Sequence, residues 1–323
     1  AQNWMAAAAG ADALAKGGNA IDSAVACAFA LNTVEPWMCG MGGSGYMVIW
    51  LAGEKRATAI DFQGMLPQGI DTADYPLDPN VPDAIMGFPG VAENANVVGY
   101  KSITVPGAVA GLSAALERHG NLGLDSILAS TIELAERGLP VDWHATLHIA
   151  LEAADLSKFP ASSAVFLPGG TPAQPEQYLP LTKLTETLKA LAENGPSVFY
   201  KGQVAEKIAA DLQAGGSRIN ADDLAAYEPL FIEPLVGTHR GATLYTPGET
   251  SGGLRLNEAL QYIEANLDPS QPIGAHTYAT YATALNKAFL NHERRLGRID
   301  TAGCTSHMSA VDADGNMVAL TYT

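Results

Sequence analysis

Apolar and polar residues alternate in two short runs within the last twenty residues of the sequence, and a polar turn separates them. The first run begins at Thr305 and the second ends at Thr323, with Asp314-Gly315 between them. Such alternation is typical of half-buried β-strands, and Asp-Gly is a strong signal for a tight hairpin turn. Because a hairpin brings its two ends together, the pattern predicts that Thr305 lies close to Thr321 and Thr323.

The rest of the chain predicts a mixture of helices and paired strands. Apolar residues at helical spacing predict helices at residues 1–16, 20–31, 108–118, 125–137, 142–154, 182–194, 203–213, 254–265 and 275–295. Alternating runs predict further strands at residues 46–50, 57–62, 101–105, 231–237 and 241–246. The strands form hairpins rather than β-α-β units, which favours antiparallel sheets covered by helices, the α+β class.

Composition narrows the functional classes. The chain has 323 residues, 47% of them hydrophobic, which is enough for one large core or two closely associated ones. A net charge of −16 argues against nucleic acid as a partner, because phosphate contacts need clustered Lys and Arg. No apolar run is long enough to span a bilayer. No signal peptide is visible, and the compartment stays open between bacterial cytoplasm and periplasm.

Two patterns that could indicate a cofactor or a metal are better explained structurally. Gly40, Gly42 and Gly45 have the G-x-G-x-x-G spacing of a dinucleotide loop, but they follow a helix and open a strand, the reverse of the required order. We therefore predict a turn in which backbone segments pack closely.

His144 and His148 stand four residues apart on a predicted helix, but no third ligand lies nearby in the sequence, so we expect a surface or partly buried pair. No cofactor or metal is predicted.

The hydroxyl residues at the ends of the terminal hairpin have two interpretations. Threonine is common in strands for purely structural reasons, because β-branched side chains pack well there. It can also be a nucleophile when a base stands beside it, and the free α-amine of an N-terminal threonine is such a base. That chemistry requires cleavage of the Cys304–Thr305 bond, with Thr321 or Thr323 orienting the Thr305 oxygen across the hairpin.

Several stretches, in order along nearly the whole chain, resemble the γ-glutamyltranspeptidase family, a group of N-terminal-nucleophile hydrolases. They are Gly17–Ala26, Val34–Pro36 with Gly40–Tyr46, Val105–Gly111, Arg240-Gly241 with Thr250–Gly253, Thr305–His307, Asp314–Asn316 and Thr321–Thr323. The resemblance implies an αββα four-layer sandwich and a precursor that cuts itself before Thr305. Residues 1–304 would then form a region like the large subunit, and residues 305–323 the start of the small subunit.

The resemblance also implies roles for individual residues. Thr305 would take an acyl group from a γ-glutamyl amide or peptide and pass it to water or an amine. Thr323 matches the family's orienting hydroxyl, Thr321 lies two residues earlier on the same strand face, and His307 would support the site. The processed subunits would remain associated, with a heterotetramer as one possible assembly.

Three departures from the family pattern alter the expected function. Gln63 stands where the family usually has an arginine that grips the glutamyl carboxylate, and a neutral amide cannot form that bidentate ion pair. The family's small subunit continues beyond the strand that ends at Thr323 and carries the oxyanion-hole glycines, so we expect the rest of that subunit outside this sequence. Only residues 298–303 separate Gly297 from Cys304, a shorter segment than is usual.

Three hypotheses follow from these residues. The first is a self-processing γ-glutamyl acyltransferase or amidohydrolase with Thr305 as its nucleophile. The second keeps this chemistry but changes the acyl group, as in a β-lactam side-chain acylase or another amide acylase. The third is an unprocessed, non-catalytic family member that acts as a binding protein.

Overall fold

A computed structural model describes residues 1–82, 89–248, 250–296 and 305–323. Its helices are α1 Trp4–Ala15, α2 Ala20–Val34, α3 Ala108–His119, α4 Leu124–Arg137, α5 Trp143–Leu151, α6 Ala153–Leu156, α7 Pro160–Phe166, α8 Thr182–Asn194, α9 Ser197–Lys201, α10 Gln203–Ala214, α11 Ala221–Ala225, α12 Gly253–Asn266 and α13 Ala275–Leu296. Its strands are β1 Gly45–Leu51, β2 Arg56–Phe62, β3 Leu139–Pro140, β4 Tyr178–Leu179, β5 Leu230–Ile232, β6 Leu235–His239, β7 Ala242–Thr246, β8 Ser306–Val311 and β9 Met317–Tyr322. Within these residues no helix is both long enough and apolar enough to cross a membrane.

A five-stranded antiparallel sheet with the order β5-β2-β1-β9-β8 forms the centre of the described chain. The predicted terminal hairpin is β8–β9, and β9 pairs with β1, although more than 250 residues separate them in sequence. One residue from each of four strands lies in a single cross-strand row: Phe62, Gly45, Tyr322 and Ser306. The register therefore brings the distant hairpin and the first hairpin into one continuous sheet.

Helices cover one face of this sheet. All fifteen residues of α2 are buried, as expected for a helix that is apolar nearly all round. Its first turn is fixed by a capping box, in which the Asn19 side chain accepts from the backbone N–H of Asp22 and the Asp22 carboxylate accepts from that of Asn19. Buried strand residues such as Met47 and Leu320 join the α2 side chains in the main hydrophobic core. This layer fixes the sheet by apolar packing.

A smaller β6–β7 sheet lies over the opposite face. Trp50 of β1 stacks on Tyr245 of β7, with 5.5 Å between the ring centroids. On its far side this sheet meets α12, where the Asn257 side chain fills the space left by Gly237, and α12 packs in turn against α13. The order of layers is helix, sheet, sheet, helix, so the expected αββα arrangement is confirmed.

The structure differs from the predicted elements in several places. Residues 101–105 contain a 3-10 turn at Tyr100–Ser102 and an isolated bridge from Val105 to Met65, because this segment has no neighbouring strand with which to pair. The helix predicted at 142–154 breaks at Glu152, and a helix begins at Pro160 in a segment interpreted as loop. The run 231–237 is divided between two sheets at Pro234, which lacks the N–H needed to continue a ladder.

Candidate active site

The hydroxyl residues of the terminal hairpin lie at one edge of the central sheet. One residue beyond the row that contains Tyr322, Gln63 follows β2, Ser44 precedes β1, Thr323 follows β9 and Thr305 precedes β8. Neighbouring strands are about 4.8 Å apart, so the ends of β2 and β9, with β1 between them, are about 10 Å apart. The two ends of the hairpin and the position of the missing arginine thus share one rim of the sheet.

Thr305 and Thr323 form a hydroxyl pair. Their Oγ1 atoms are 2.5 Å apart, a short hydrogen bond in which either atom can be the donor. The Thr305 hydroxyl also donates to the carbonyl oxygen of Tyr322 at 3.2 Å. Because the Thr305 hydroxyl proton is used in this bond to Tyr322, the Thr323 hydroxyl can donate its own proton to the Thr305 oxygen. This arrangement fixes the direction of the Thr305 oxygen and offers it a proton donor.

The glycine-rich turn before β1 holds Thr323 in place by backbone contacts. The N–H of Ser44 donates to the Thr323 carbonyl at 3.0 Å, and the N–H of Thr323 donates to the Ser44 carbonyl at 2.9 Å. A Cβ atom on Gly43 would lie 1.4 Å from the Thr323 carbonyl oxygen, so only glycine fits there. The Gly43 carbonyl accepts from the N–H groups of Gly107 and Ala108 at the start of α3. The glycine pattern therefore serves a close backbone approach.

Thr321 lies on the same strand face as Thr323 but pairs with His307. The Nδ1 atom of His307 is 2.7 Å from the Thr321 Oγ1 atom, and its Nε2 atom is 3.1 Å from the Ser309 Oγ atom. The imidazole is thus held between two hydroxyls along the β8–β9 ladder. This contact supports the hairpin next to Thr305, whereas the orienting contact to Thr305 comes from Thr323.

Tyr46 extends the same polar row on β1. It is the cross-strand neighbour of Thr321, and its hydroxyl oxygen is 2.7 Å from the Thr250 Oγ1 atom. Burial raises the pKa of the Tyr46 phenol, so the group stays protonated at neutral pH. Thr250 begins the stretch Thr250–Gly253 that leads into α12. This hydrogen bond connects the loop before α12 to the polar face of the sheet.

Beneath the hydroxyl pair, on the helix-covered face, Tyr322 is fixed by burial. Its hydroxyl oxygen lies 2.5 Å from the Ala28 carbonyl and 2.6 Å from the Asn32 Oδ1 atom, and only 1% of the residue is exposed. Burial raises the pKa of the Tyr322 phenol and that of the neighbouring Cys39 thiol, so both remain neutral. A neutral, close-packed layer therefore supports the backbone of Thr323.

Gln2 and Glu35 brace the residue after the nucleophile candidate. The Gln2 amide nitrogen donates to the Glu35 carboxylate at 2.6 Å and to the Ser306 hydroxyl at 3.0 Å. Ser306 is fully buried and Glu35 is nearly so. Sequence reasoning missed this contact, because Gln2 and Ser306 are 304 positions apart and no local pattern connects them.

Gln63 lies beside a cavity of about 300 Å³ whose charged lining is acidic. The Gln63 N–H donates to the Asp61 carboxylate at 3.0 Å, and its carbonyl accepts from the Tyr227 hydroxyl at 2.9 Å. Asp61, Asp223 and Glu228 line the cavity, and none of its lining residues is Lys or Arg. The position of the expected carboxylate-binding arginine therefore contains no positive charge.

The described residues contain no cluster of three or more His, Cys, Asp or Glu side chains able to hold a metal ion. Cys304 and the rest of the predicted cleavage segment, residues 297–304, lie outside the described residues. The chemical groups that the structure brings together at the sheet edge are therefore hydroxyls, an imidazole and backbone amides.

The four-layer α+β sandwich is the fold of the N-terminal-nucleophile hydrolases, and comparisons with known proteins specify the family. The model of the protein family described as Gamma-glutamyltranspeptidase matches residues 6–302 of the chain. The chain is 31% identical to a glutathione hydrolase proenzyme of Escherichia coli strain K12 over 97% of the chain and 60% of that protein. It is 34% identical to the acylase ACY 1 proenzyme of Pseudomonas sp. strain V22 over 99% of the chain and 63% of that protein.

A solved structure agrees with this assignment. The γ-glutamyltranspeptidase of Helicobacter pylori superposes with a TM-score of 0.83 at 30% identity, over 92% of this chain and 82% of that chain. The protein belongs to the γ-glutamyltranspeptidase family. It spans about 60% of the length of the curated relatives that it matches.

Proposed function

We propose that this chain is part of a self-processing acyltransferase or amidohydrolase in which Thr305 is the nucleophile. The observation that carries the proposal is the 2.5 Å contact between the Thr305 and Thr323 hydroxyls at the sheet edge. Cleavage of the Cys304–Thr305 bond would divide residues 1–304 from a subunit that begins with residues 305–323. The new α-amine of Thr305 would then be the base that a threonine hydroxyl requires.

The chemistry needs no cofactor. The Thr305 oxygen attacks the carbonyl carbon of the substrate amide while the α-amine takes the hydroxyl proton. The amine of the substrate leaves with a proton, and an ester to Thr305 remains. Water or an acceptor amine then attacks this ester and regenerates the hydroxyl. A hydrogen bond from Thr323 would stabilise negative charge on the Thr305 oxygen when that oxygen leaves the ester.

Intact mass and N-terminal sequencing of the full-length protein test the proposal. We expect two fragments, one of which begins at Thr305. Thr305→Ala should remain a single chain and lose at least about 10⁴-fold in activity, the scale expected for removal of a nucleophile. Thr305→Ser is the matched control and should still be cut, because it keeps the hydroxyl. A folded wild-type protein that stays whole would overturn the proposal and favour a non-catalytic binding role.

A second candidate has the same mechanism with a different acyl group. It is favoured by the acidic cavity beside Gln63, since Asp61, Asp223 and Glu228 would repel a glutamyl α-carboxylate. A donor whose acyl chain carries no carboxylate, such as a β-lactam amide with an uncharged side chain, would avoid this repulsion. One relative carries the name acylase ACY 1 proenzyme, and another the name glutathione hydrolase proenzyme.

Parallel assays with γ-glutamyl anilide and 4-aminobutyryl anilide, which is the same donor without its α-carboxylate, separate the two candidates. If the second holds, the wild type should prefer the donor without the α-carboxylate. Gln63→Arg should then raise kcat/KM for the γ-glutamyl donor by at least about tenfold, the scale of one charge-assisted hydrogen bond. Gln63→Lys is the control, because it supplies charge without the bidentate geometry. Efficient γ-glutamyl turnover by the wild type would favour the first candidate.

We also propose that the processed fragments stay together, because β9 lies between β1 and β8 in the central sheet. The β1–β9 ladder would then join one fragment to the other, and two such pairs could form a heterotetramer. Size-exclusion chromatography with light scattering should show both fragments in one peak. Their separation without denaturant would contradict the proposal.

A further inference from the structure

Two histidines outside the candidate active site point their ring nitrogens at each other. His144 and His148 occupy neighbouring turns of α5, and their Nε2 atoms are 3.1 Å apart. Both residues are partly exposed. The sequence predicted such a pair but gave no reason to assign it a ligand, because the direction of the rings depends on the folded structure.

The separation of the two nitrogens matches a chelate. A metal ion placed about 2.0–2.1 Å from each Nε2 atom would subtend an angle of about 95–102° between them. This lies between the right angle of square-planar or octahedral sites and the tetrahedral angle. The spacing of the two nitrogens therefore allows both of them to bind one ion.

Trp37 packs against both rings. It stacks on His148 with 5.5 Å between centroids and 8° between planes, and meets His144 edge-on at 5.8 Å. These contacts hold the two rings in the arrangement in which their Nε2 atoms are 3.1 Å apart.

We propose that His144 and His148 form a binding site for one divalent transition-metal ion, with water in its remaining coordination positions. Imidazole nitrogen suits copper, nickel and zinc, and affinity for a given site is highest for Cu²⁺ in this series. No third protein ligand lies close enough within the described residues. An ion bound there is therefore exchangeable. Packing against Trp37 restricts both rings, which reduces the entropy lost when they bind an ion.

Calorimetric titration of CuSO₄ into tag-free full-length protein at pH 7.5 tests the site. We expect one saturable ion per chain with two nitrogen ligands in the electron paramagnetic resonance spectrum. His144→Asn and His148→Asn should each weaken binding by at least about tenfold, since even loss of an outer contact to a ligand costs that much. His276→Asn, at an exposed histidine of α13, is the matched control and should bind as the wild type does.

Three results would overturn the proposal. The first is the absence of saturable binding by the wild type. The second is equal affinity in the His144→Asn/His148→Asn double variant, which would locate the ion elsewhere. The third is a wild-type spectrum with fewer than two nitrogen ligands, which contradicts a chelate even if the variants do not fold. In the Trp143→Phe variant, Cu²⁺ should quench tryptophan fluorescence in parallel with its binding, because Trp37 stacks directly on His148.

Discussion

The two faces of the central sheet use the same strands for different purposes. On the helix-covered face, Phe62, Tyr322 and Ser306 are buried and form one cross-strand row. On the opposite face, the adjacent row contains Thr321 and His307, both at least partly exposed and hydrogen-bonded to each other. Alternation along β1, β8 and β9 separates the two sets. Packing on the buried face fixes where the strands lie, and this also fixes the positions of the side chains on the polar face.

This difference implies that substitutions on the two faces should affect different properties of the protein. Loss of packing on the buried face should lower the free energy of unfolding and leave the chemistry of the folded protein intact. Loss of a hydroxyl on the polar face should lower the rate and leave stability nearly unchanged. Contacts that link the two faces should affect both quantities.

Gly43→Ala should have the largest combined effect on rate and stability, because Gly43 links the faces. Its added Cβ would require the Thr323 carbonyl to move, and a displacement of about 1 Å near reacting groups can cost about 100-fold in rate. Overpacking should also lower the free energy of unfolding by about 1–3 kcal/mol. Self-cleavage and turnover should be measured beside Gly42→Ala, whose Cβ would meet nothing within 4 Å. Equal behaviour of the two variants would contradict the close-approach argument.

Leu320→Ala should act on stability alone. Leu320 is fully buried against the helical layer, and removal of such a side chain costs about 2–5 kcal/mol. Chemical denaturation should show the loss, while kcat per folded molecule stays within about twofold of wild type because no polar group changes. A rate defect larger than the loss of folded protein would show that the two faces are coupled more tightly than the layers suggest.

Thr323→Ala should act on rate alone. It removes a hydrogen bond to an oxygen that becomes charged, worth about 1.5–3 kcal/mol, or about 10- to 150-fold in kcat. Thr323→Ser should restore most of the rate, because it restores the hydroxyl. Thr321→Ala is the comparison on the same face and should cost less, since Thr321 contacts His307 rather than Thr305. A larger loss of kcat in Thr321→Ala than in Thr323→Ala would assign the orienting role to Thr321.

The smallest effect concerns Asp312 in the β8–β9 turn. Burial raises the pKa of its carboxyl, but hydrogen bonds from the Asn316 side chain and from the backbone N–H groups of Ala20, Asn316 and Asp314 outweigh burial and lower it. A lowered pKa in the folded state means that the stabilisation is complete above the unfolded value of about 3.9. It is lost as the pH falls through the lower folded value.

Thermal unfolding between pH 6 and pH 3 checks this contribution. The wild type should lose part of its stability as the solution is acidified, and Asp312→Asn should show a smaller slope because its amide does not titrate. Asp314→Asn is the control, since Asp314 is exposed and uses its backbone N–H, not its carboxylate, in this contact. Parallel slopes for wild type and Asp312→Asn would assign the acid sensitivity to other carboxylates.

Local patterns in the sequence determined the elements and the composition of the candidate site. Helical periodicity placed α2, α3 and α8, and the Asp314-Gly315 signal placed the hairpin that brings Thr305 and Thr323 together. These predictions depend on neighbours in the sequence, whose spacing fixes which side chains share a face. They failed where a non-local partner was needed, as at residues 101–105, or where one proline, Pro234, divided a run between two sheets.

Tertiary structure decided which residues brace and surround the nucleophile candidate. The pairing of β9 with β1 places Ser44 against Thr323, and the packing of the N-terminal segment brings Gln2 to Ser306 across 304 positions. The acidic cavity beside Gln63 and the convergence of the His144 and His148 rings likewise depend on distant segments. A sequence pattern records periodicity within one element. Distances between elements are set by how buried faces pack, and they exist only once the whole core has formed.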